Sequence, residues 1–149
     1  MAISQLPVDF KDFLRLLNSH GVEYLVVGGY AVAYHGRPRA TGDLDVWIAV
    51  HPRNAANLVQ AMREFGFTSD EVSADLFLHE NQVVRMGVPP LRIEILTSVS
   101  GVAFDDCHRA KVRDVVDGVP IDVIDLEHLK ENKKAAGRHR DLDDLESLP

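Results

Sequence analysis

Only one cysteine, Cys107, occurs in the 149 residues, so no disulfide forms within the chain, and a reducing cytoplasm is the expected compartment. No apolar run is long enough to span a bilayer, and no basic segment leads into a long apolar one; a soluble protein without membrane contact is expected. Basic residues are outnumbered: 16 Lys and Arg face 23 Asp and Glu, a formal net charge of −7. That balance argues against sequence-independent nucleic-acid binding over the whole surface and leaves room for a local basic strip. The 7 histidines form no pair at metal-ligand spacing. No Ser-His-Asp or Cys-His nucleophilic set is present, and Cys107 has no evident activating partner. Repeats and low-complexity segments are also missing.

What remains has the make-up of an ordinary globular domain, 46% hydrophobic and 26% charged, and its length suits one domain over residues 1–149. The most informative stretch runs from Val26 to Val50. An apolar strand ends in Gly28-Gly29, a short helix follows, and a loop rich in Gly, Pro and Arg leads into a second strand carrying Asp43 and Asp45. Glycine lets the backbone approach phosphate oxygens, and the following helix N-terminus adds a favourable dipole. Residues two apart on a strand share a face, so Asp43 and Asp45 project together with Cα atoms roughly 6 to 7 Å apart. Leu44, Val46, Ile48 and Val50 point the other way, into a core. Hard divalent cations want oxygen ligands of this kind on a rigid element.

A third carboxylate fits the same scheme. Glu94 lies between Ile93 and Ile95 on a predicted strand, where an unpaired carboxylate is costly and a cation removes the cost. Three such groups suit two ions about 3.5 to 4 Å apart, the arrangement used for in-line displacement at phosphorus.

Gly28-Gly29, the spacing to Asp43-Leu44-Asp45-Val46, and Ile93-Glu94-Ile95 resemble the motifs of the nucleotidyltransferase superfamily that includes DNA polymerase beta, kanamycin nucleotidyltransferase and the minimal nucleotidyltransferases. The run from Asn132 to Glu146 is similar, more narrowly, to the end of the small AbiEii-toxin-like members. Many relatives carry Asp as the third carboxylate, where this chain has Glu94. The resemblance implies a nucleotidyltransferase fold and nucleotide binding, ATP included. It also implies that Lys133 reaches nucleotide phosphates with Asp141 positioning it. Composition alone does not select Lys133 from Lys130, Lys134, Arg138 and Arg140, and a solvated face complementing the helix dipole is the competing reading of that basic segment.

The rest of the chain supplies scaffold. Pro7 to Ser19 reads as a helix stopped before Gly21, Tyr24 to Val27 as a buried strand, and Arg53 to Phe65 as an amphipathic helix ended by Gly66. Leu76 to Leu78 is a strand or helix segment near the site mouth. Val83 to Met86 and Leu91 to Leu96 form a hairpin across Pro89-Pro90, and Val102 to His108 is a loop or short helix. Asp117-Gly118 marks a second hairpin, Asp125 caps a helix ending at Gly137, and a last short helix starts near Asp141, within a basic C-terminal segment of about 125–149. Trp47 shares parity with the aspartates, which allows it to line the lower wall of the cleft, with packing favoured over base stacking. Arg37 and Arg39 flank Pro38 on a stiff loop, read either as solvated charge or as phosphate contacts.

The expectation is therefore an α/β (α+β) domain, a small mixed sheet carrying helices. It is expected to act as a Mg²⁺- or Mn²⁺-dependent nucleotidyltransferase. Asp43, Asp45 and Glu94 serve as metal ligands and catalytic groups, and Gly28, Gly29, Arg39, Lys133 and Asp141 as the nucleotide site. The expected acceptor is tRNA or protein, with a small molecule such as an antibiotic as the alternative. A toxin–antitoxin role with a cognate partner, and a homo-oligomer completing the open site, are compatible. The rival from another class is a non-catalytic module of the same fold that binds nucleotide or a partner protein.

Overall fold

A computed structural model of the protein describes residues 5–36, 41–88 and 91–149. Among these residues six strands form one mixed sheet in the order β3-β4-β2-β1-β6-β5. The central strand β1 (Tyr24–Val27) is buried at all four positions, as expected of a strand covered on both faces. It runs antiparallel to β2 (Asp43–Ile48) and parallel to β6 (Val119–Val123). The other side of β2 pairs in parallel with β4 (Leu91–Leu96), which forms an antiparallel hairpin with the edge strand β3 (Val83–Val88). The predicted Pro89-Pro90 turn lies outside the described residues.

Helix α1 (Val8–Ser19) buries Phe10, Phe13, Leu14 and Leu17 and meets α3 (Pro52–Phe65) through an edge-to-face pair of Phe13 and Phe65, with ring centroids 5.2 Å apart. Pro52 opens α3, where a missing N–H costs nothing, and the His51 ring accepts from the Asn54 N–H at 3.2 Å. The buried Asn54 amide also binds the carbonyls of Glu23 and Ala49, at 3.0 and 2.8 Å, and fixes the distal ends of β1 and β2 to this helix.

On β2 the alternation holds through Leu44, Val46 and Ile48, which are buried. Val50 lies beyond the strand end and is half-buried. Trp47 does share parity with the aspartates, yet it does not line the cleft. Phe104, on the short helix α4 (Phe104–Arg109), covers it edge-to-face at 5.1 Å. Leu76 to Leu78 likewise does not border the site: Ala74–Phe77 is a 3-10 turn packed on α3, with Phe77 fully buried.

The second hairpin joins β5 (Val112–Val116) to β6 through Asp117 and Gly118, whose φ values of 50° and 79° are those of the tight turn the pair prefers. Helix α5 (Leu126–Ala136) is capped by Asp125 and stopped by left-handed Gly137. Helix α6 (His139–Ser147) begins two residues earlier than the sequence suggests. Asp141 sits in the first turn and accepts the Arg138 N–H at 3.2 Å, its half of a capping box with Arg138. No helix among the described residues is long and apolar enough to cross a membrane.

Candidate active site

Where β1 ends, Gly28 takes a φ of +65° and turns the chain into α2 (Gly28–His35). Among the described residues no side chain caps that helix, so no side-chain oxygen there satisfies the N–H groups of its first turn. Val27 is the register partner of Asp45, which brings the glycine turn against β2. A Cβ on Gly28 would lie 2.9 Å from Cγ of Asp45 and closer still to its Oδ2.

The parallel pairing of β2 with β4 places Asp45 opposite Glu94 and Asp43 opposite Arg92. Adjacent strands are about 4.8 Å apart, so three carboxylates occupy one corner of the sheet. Arg92 forms a fork on Asp43: Nε donates to Oδ1 at 3.1 Å and Nη2 to Oδ2 at 3.2 Å. Arg85, from the edge strand, donates to Glu94 Oε1 at 3.1 Å.

Asp45 differs from both neighbours. Its Oδ1 is buried and has no hydrogen-bond partner among the described residues. Burial, then the charges of Glu94 and Asp43 and a hydrogen bond with Glu94, push its carboxyl up to about 7, with Lys133 opposing them. A buried carboxylate oxygen beside two like charges is a poor resting arrangement and a good cation ligand. Among the described residues no three acidic, His or Cys side chains are grouped so that they could hold a metal ion as they stand. The donor chemistry nevertheless fits a hard divalent ion, because Asp45 offers an unused lone pair and its neighbours offer further oxygens.

The opposite wall comes from the C-terminal helices. Asn132 on α5 donates to the Ser100 carbonyl at 2.9 Å and ties the helix to the loop after β4. The next residue, Lys133, is buried, with Nζ 3.3 Å from Asp141 Oδ1 and 3.0 Å from Asp144 Oδ2. Arg138 also donates from Nε to Asp141 Oδ2 at 2.7 Å. Burial alone would raise the Asp141 carboxyl, but the Arg138 hydrogen bond and the Lys133 charge outweigh it and hold the group below the usual range.

These walls enclose a cavity of about 850 Å³, open to solvent. Gly28, Gly29, Asp43, Asp45, Glu94, Lys133 and Asp141 all line it, and Arg85, Arg92, Arg138 and Arg140 complete it. The fold thus gathers seven of the eight predicted site residues into one space. The eighth, Arg39, lies outside the described residues, as does Arg37. Sequence reading missed Arg92, Arg85 and Asp144. Arg92 was within reach, because it stands two residues before Glu94 on the same strand and so shares its face; Asp144 stands three after Asp141 on a helix, at facing spacing. Arg85 carried no signal of its own, since only the hairpin register brings it to Glu94.

The family described as "Nucleotidyl transferase of unknown function (DUF2204)" matches residues 8–149. Among solved structures, TM1012 of Thermotoga maritima, provisionally designated a nucleotidyltransferase, superposes with a TM-score of 0.62 at 18% identity, covering 92% of this chain and 88% of its own. At that identity the likeness establishes the fold. Comparison with curated protein sequences produced no match.

Proposed function

The chain belongs to this nucleotidyl transferase family, and from that premise we propose that the cavity binds a nucleoside triphosphate and transfers its nucleotidyl group to an acceptor hydroxyl. The observation that carries the reading is the buried, unpartnered Oδ1 of Asp45 between Asp43 and Glu94, facing the glycine turn across one cavity. Asp43, Asp45 and Glu94 would hold Mg²⁺ or Mn²⁺, which when bound draws charge from triphosphate oxygens and acidifies the attacking hydroxyl.

The chain's own groups divide the remaining work. Gly28 and Gly29 present backbone N–H groups to phosphate at the start of α2. Lys133, fixed by Asp141 and Asp144, sets a positive charge at the far wall, where it offsets charge on the phosphates. Glu94 accepts the hydroxyl proton as the acceptor oxygen bonds to the α-phosphorus. The bond from that phosphorus to the bridging oxygen breaks, and pyrophosphate leaves. The cavity is open to solvent, which favours a large acceptor such as tRNA or protein over an enclosed small molecule. A role in a toxin–antitoxin pair is compatible with that acceptor class.

A second reading has its own observation. Arg92 and Arg85 already neutralise Asp43 and Glu94, as they would in a module that binds nucleotide or a protein partner without turnover. Incubation with each α-³²P-labelled nucleotide, Mg²⁺ or Mn²⁺, total RNA and cell extract separates the two. Label on a discrete RNA or protein band, absent with Asp43→Asn/Asp45→Asn, supports transfer. Melting temperatures that rise with nucleotide and metal, without label in any arm, favour the non-catalytic module.

A further inference from the structure

We propose that Arg92 is a built-in counter-ion of the carboxylate corner and competes with a divalent cation for Asp43; this rests on the metal reading of the site. Three acidic groups on two adjacent strands repel one another, and of the three Asp43 is the one held by a two-pronged guanidinium contact among the described residues. Arg92 Nη2 also stands 3.8 Å from Glu94 Oε1, so one cation bridges Asp43 and Glu94 while the Oδ1 of Asp45 beside them stays unpartnered. The Arg92 side chain is 31% exposed, about half as much as that of Arg85 at 59%.

A cation ligated by Asp43 must share or take oxygen lone pairs that the guanidinium now occupies, and must do so against a positive charge a few ångströms away. A phosphate is an alternative two-pronged acceptor for a displaced guanidinium. Nucleotide therefore relieves the competition, and cation and nucleotide enter together. Arg85 on Glu94 lacks this leverage because it is 59% exposed at the rim and makes a single hydrogen bond to it.

Competition makes a prediction that a scaffolding role does not. Removing the guanidinium should destabilise the protein in chelator, because the carboxylates lose their counter-ion, and at the same time tighten cation binding. Mn²⁺ titration followed by electron paramagnetic resonance of the free ion, on wild type, Arg92→Gln, Arg92→Lys and Asp43→Asn/Asp45→Asn, reads the second effect without any turnover. Arg92→Gln is expected to bind Mn²⁺ at least about tenfold more tightly than wild type, and to melt lower in EDTA. Arg92→Lys keeps the charge but loses the fork and is expected to tighten less. Equal or weaker Mn²⁺ binding by Arg92→Gln, with wild type binding and the double aspartate variant silent, overturns the proposal and leaves the metal site standing. No binding by either wild type or Arg92→Gln overturns the metal site itself, and the proposal with it. Should Arg92→Gln fail to fold, Arg92→Lys must still bind more tightly than wild type; parity rejects the idea.

Discussion

Gly28 and Asp45 are packed so closely that no side chain fits between them: a Cβ on the glycine would stand 2.9 Å from Asp45 Cγ. Gly28 also has a φ of +65°, where L-residues are strained by about 1 kcal/mol or more. Gly21 isolates the two effects, since it has a φ of +67° with nothing within 4 Å of its virtual Cβ. Gly21→Ala should therefore lose about 1 kcal/mol of stability and leave the proposed metal and nucleotide binding intact. Gly28→Ala carries the same strain and must in addition push Asp45 out of place. Denaturant melts should place Gly28→Ala below Gly21→Ala, and nucleotide-induced thermal shifts should survive only in Gly21→Ala. Equal ligand responses would show that the close contact has no bearing on the site.

Cys107 offers a test of packing outside the cavity lining. The side chain is fully buried, and burial followed by the charges of Asp125, Asp106 and Glu131 pushes the thiol up to about 12. Thiolate is the reactive species, so at pH 8 a disulfide reagent should titrate no thiol in the native protein and one in guanidinium. The rate of labelling should follow the opening of the fold, which makes Cys107 a reporter of stability in variants elsewhere in the chain. Rapid native labelling would mean that α4 opens far more readily than its packing implies.

Asp45 contributes a pH response of its own in chelator. Its carboxyl is raised to about 7 in the fold, above an unfolded value of about 3.9, so the folded state binds the extra proton between those limits. Below the lower limit both states are protonated and nothing is lost. Stability from this group then falls as pH rises through the window, by an amount on the order of 4 kcal/mol by pH 8. Asp45→Asn cannot ionise, and its amide can donate to Glu94. We expect that variant to melt higher than wild type at pH 8, with the difference shrinking toward pH 4, and to fail in nucleotidyl transfer. Melts from pH 4 to 8 in EDTA check this, and a gap that widens toward acid would contradict the raised carboxyl. Stability and the proposed function then conflict at one residue, as expected of the proposed cation ligand.

Much of this site is written in local pattern. Period-two alternation placed Asp43 and Asp45 on one face, and Asp-Gly, Asp125 and Gly137 marked their turn and helix ends because each has a backbone requirement few other residues meet. Pairings across the sheet are different in kind. Nothing in the run around Val83 states that Arg85 will face Glu94, because that follows from hairpin register. Trp47 shows the same limit. Its parity was correct, and its role was decided by Phe104, which lies 57 positions away in the chain and covers it. Near the start of helix α6, Asp141 serves two tasks that its position alone did not show, accepting the Arg138 N–H and clamping Lys133.

That clamp yields the last prediction. Lys133 and its two aspartates have side chains no more than 9% exposed, so the ammonium depends on both carboxylates and each carboxylate on the cation. Removing one member of a buried ion pair strands a charge, which typically costs about 3 to 5 kcal/mol. Asp144→Ala should be milder than Lys133→Ala, because Lys133 still has Asp141, whereas loss of the lysine leaves two buried aspartates without the cation they share. Arg138, which donates to Asp141, softens that loss without replacing the ammonium between the two carboxylates. The expected order of stability is wild type, then Asp144→Ala, then Lys133→Ala. The triple replacement of Lys133, Asp141 and Asp144 by Met, Leu and Leu should recover much of the loss by exchanging charge for packing, and should remain inactive. Guanidinium melts of the three variants test the order. Recovery of stability without recovery of nucleotide binding would separate the clamp's service to the fold from its proposed service to the phosphates.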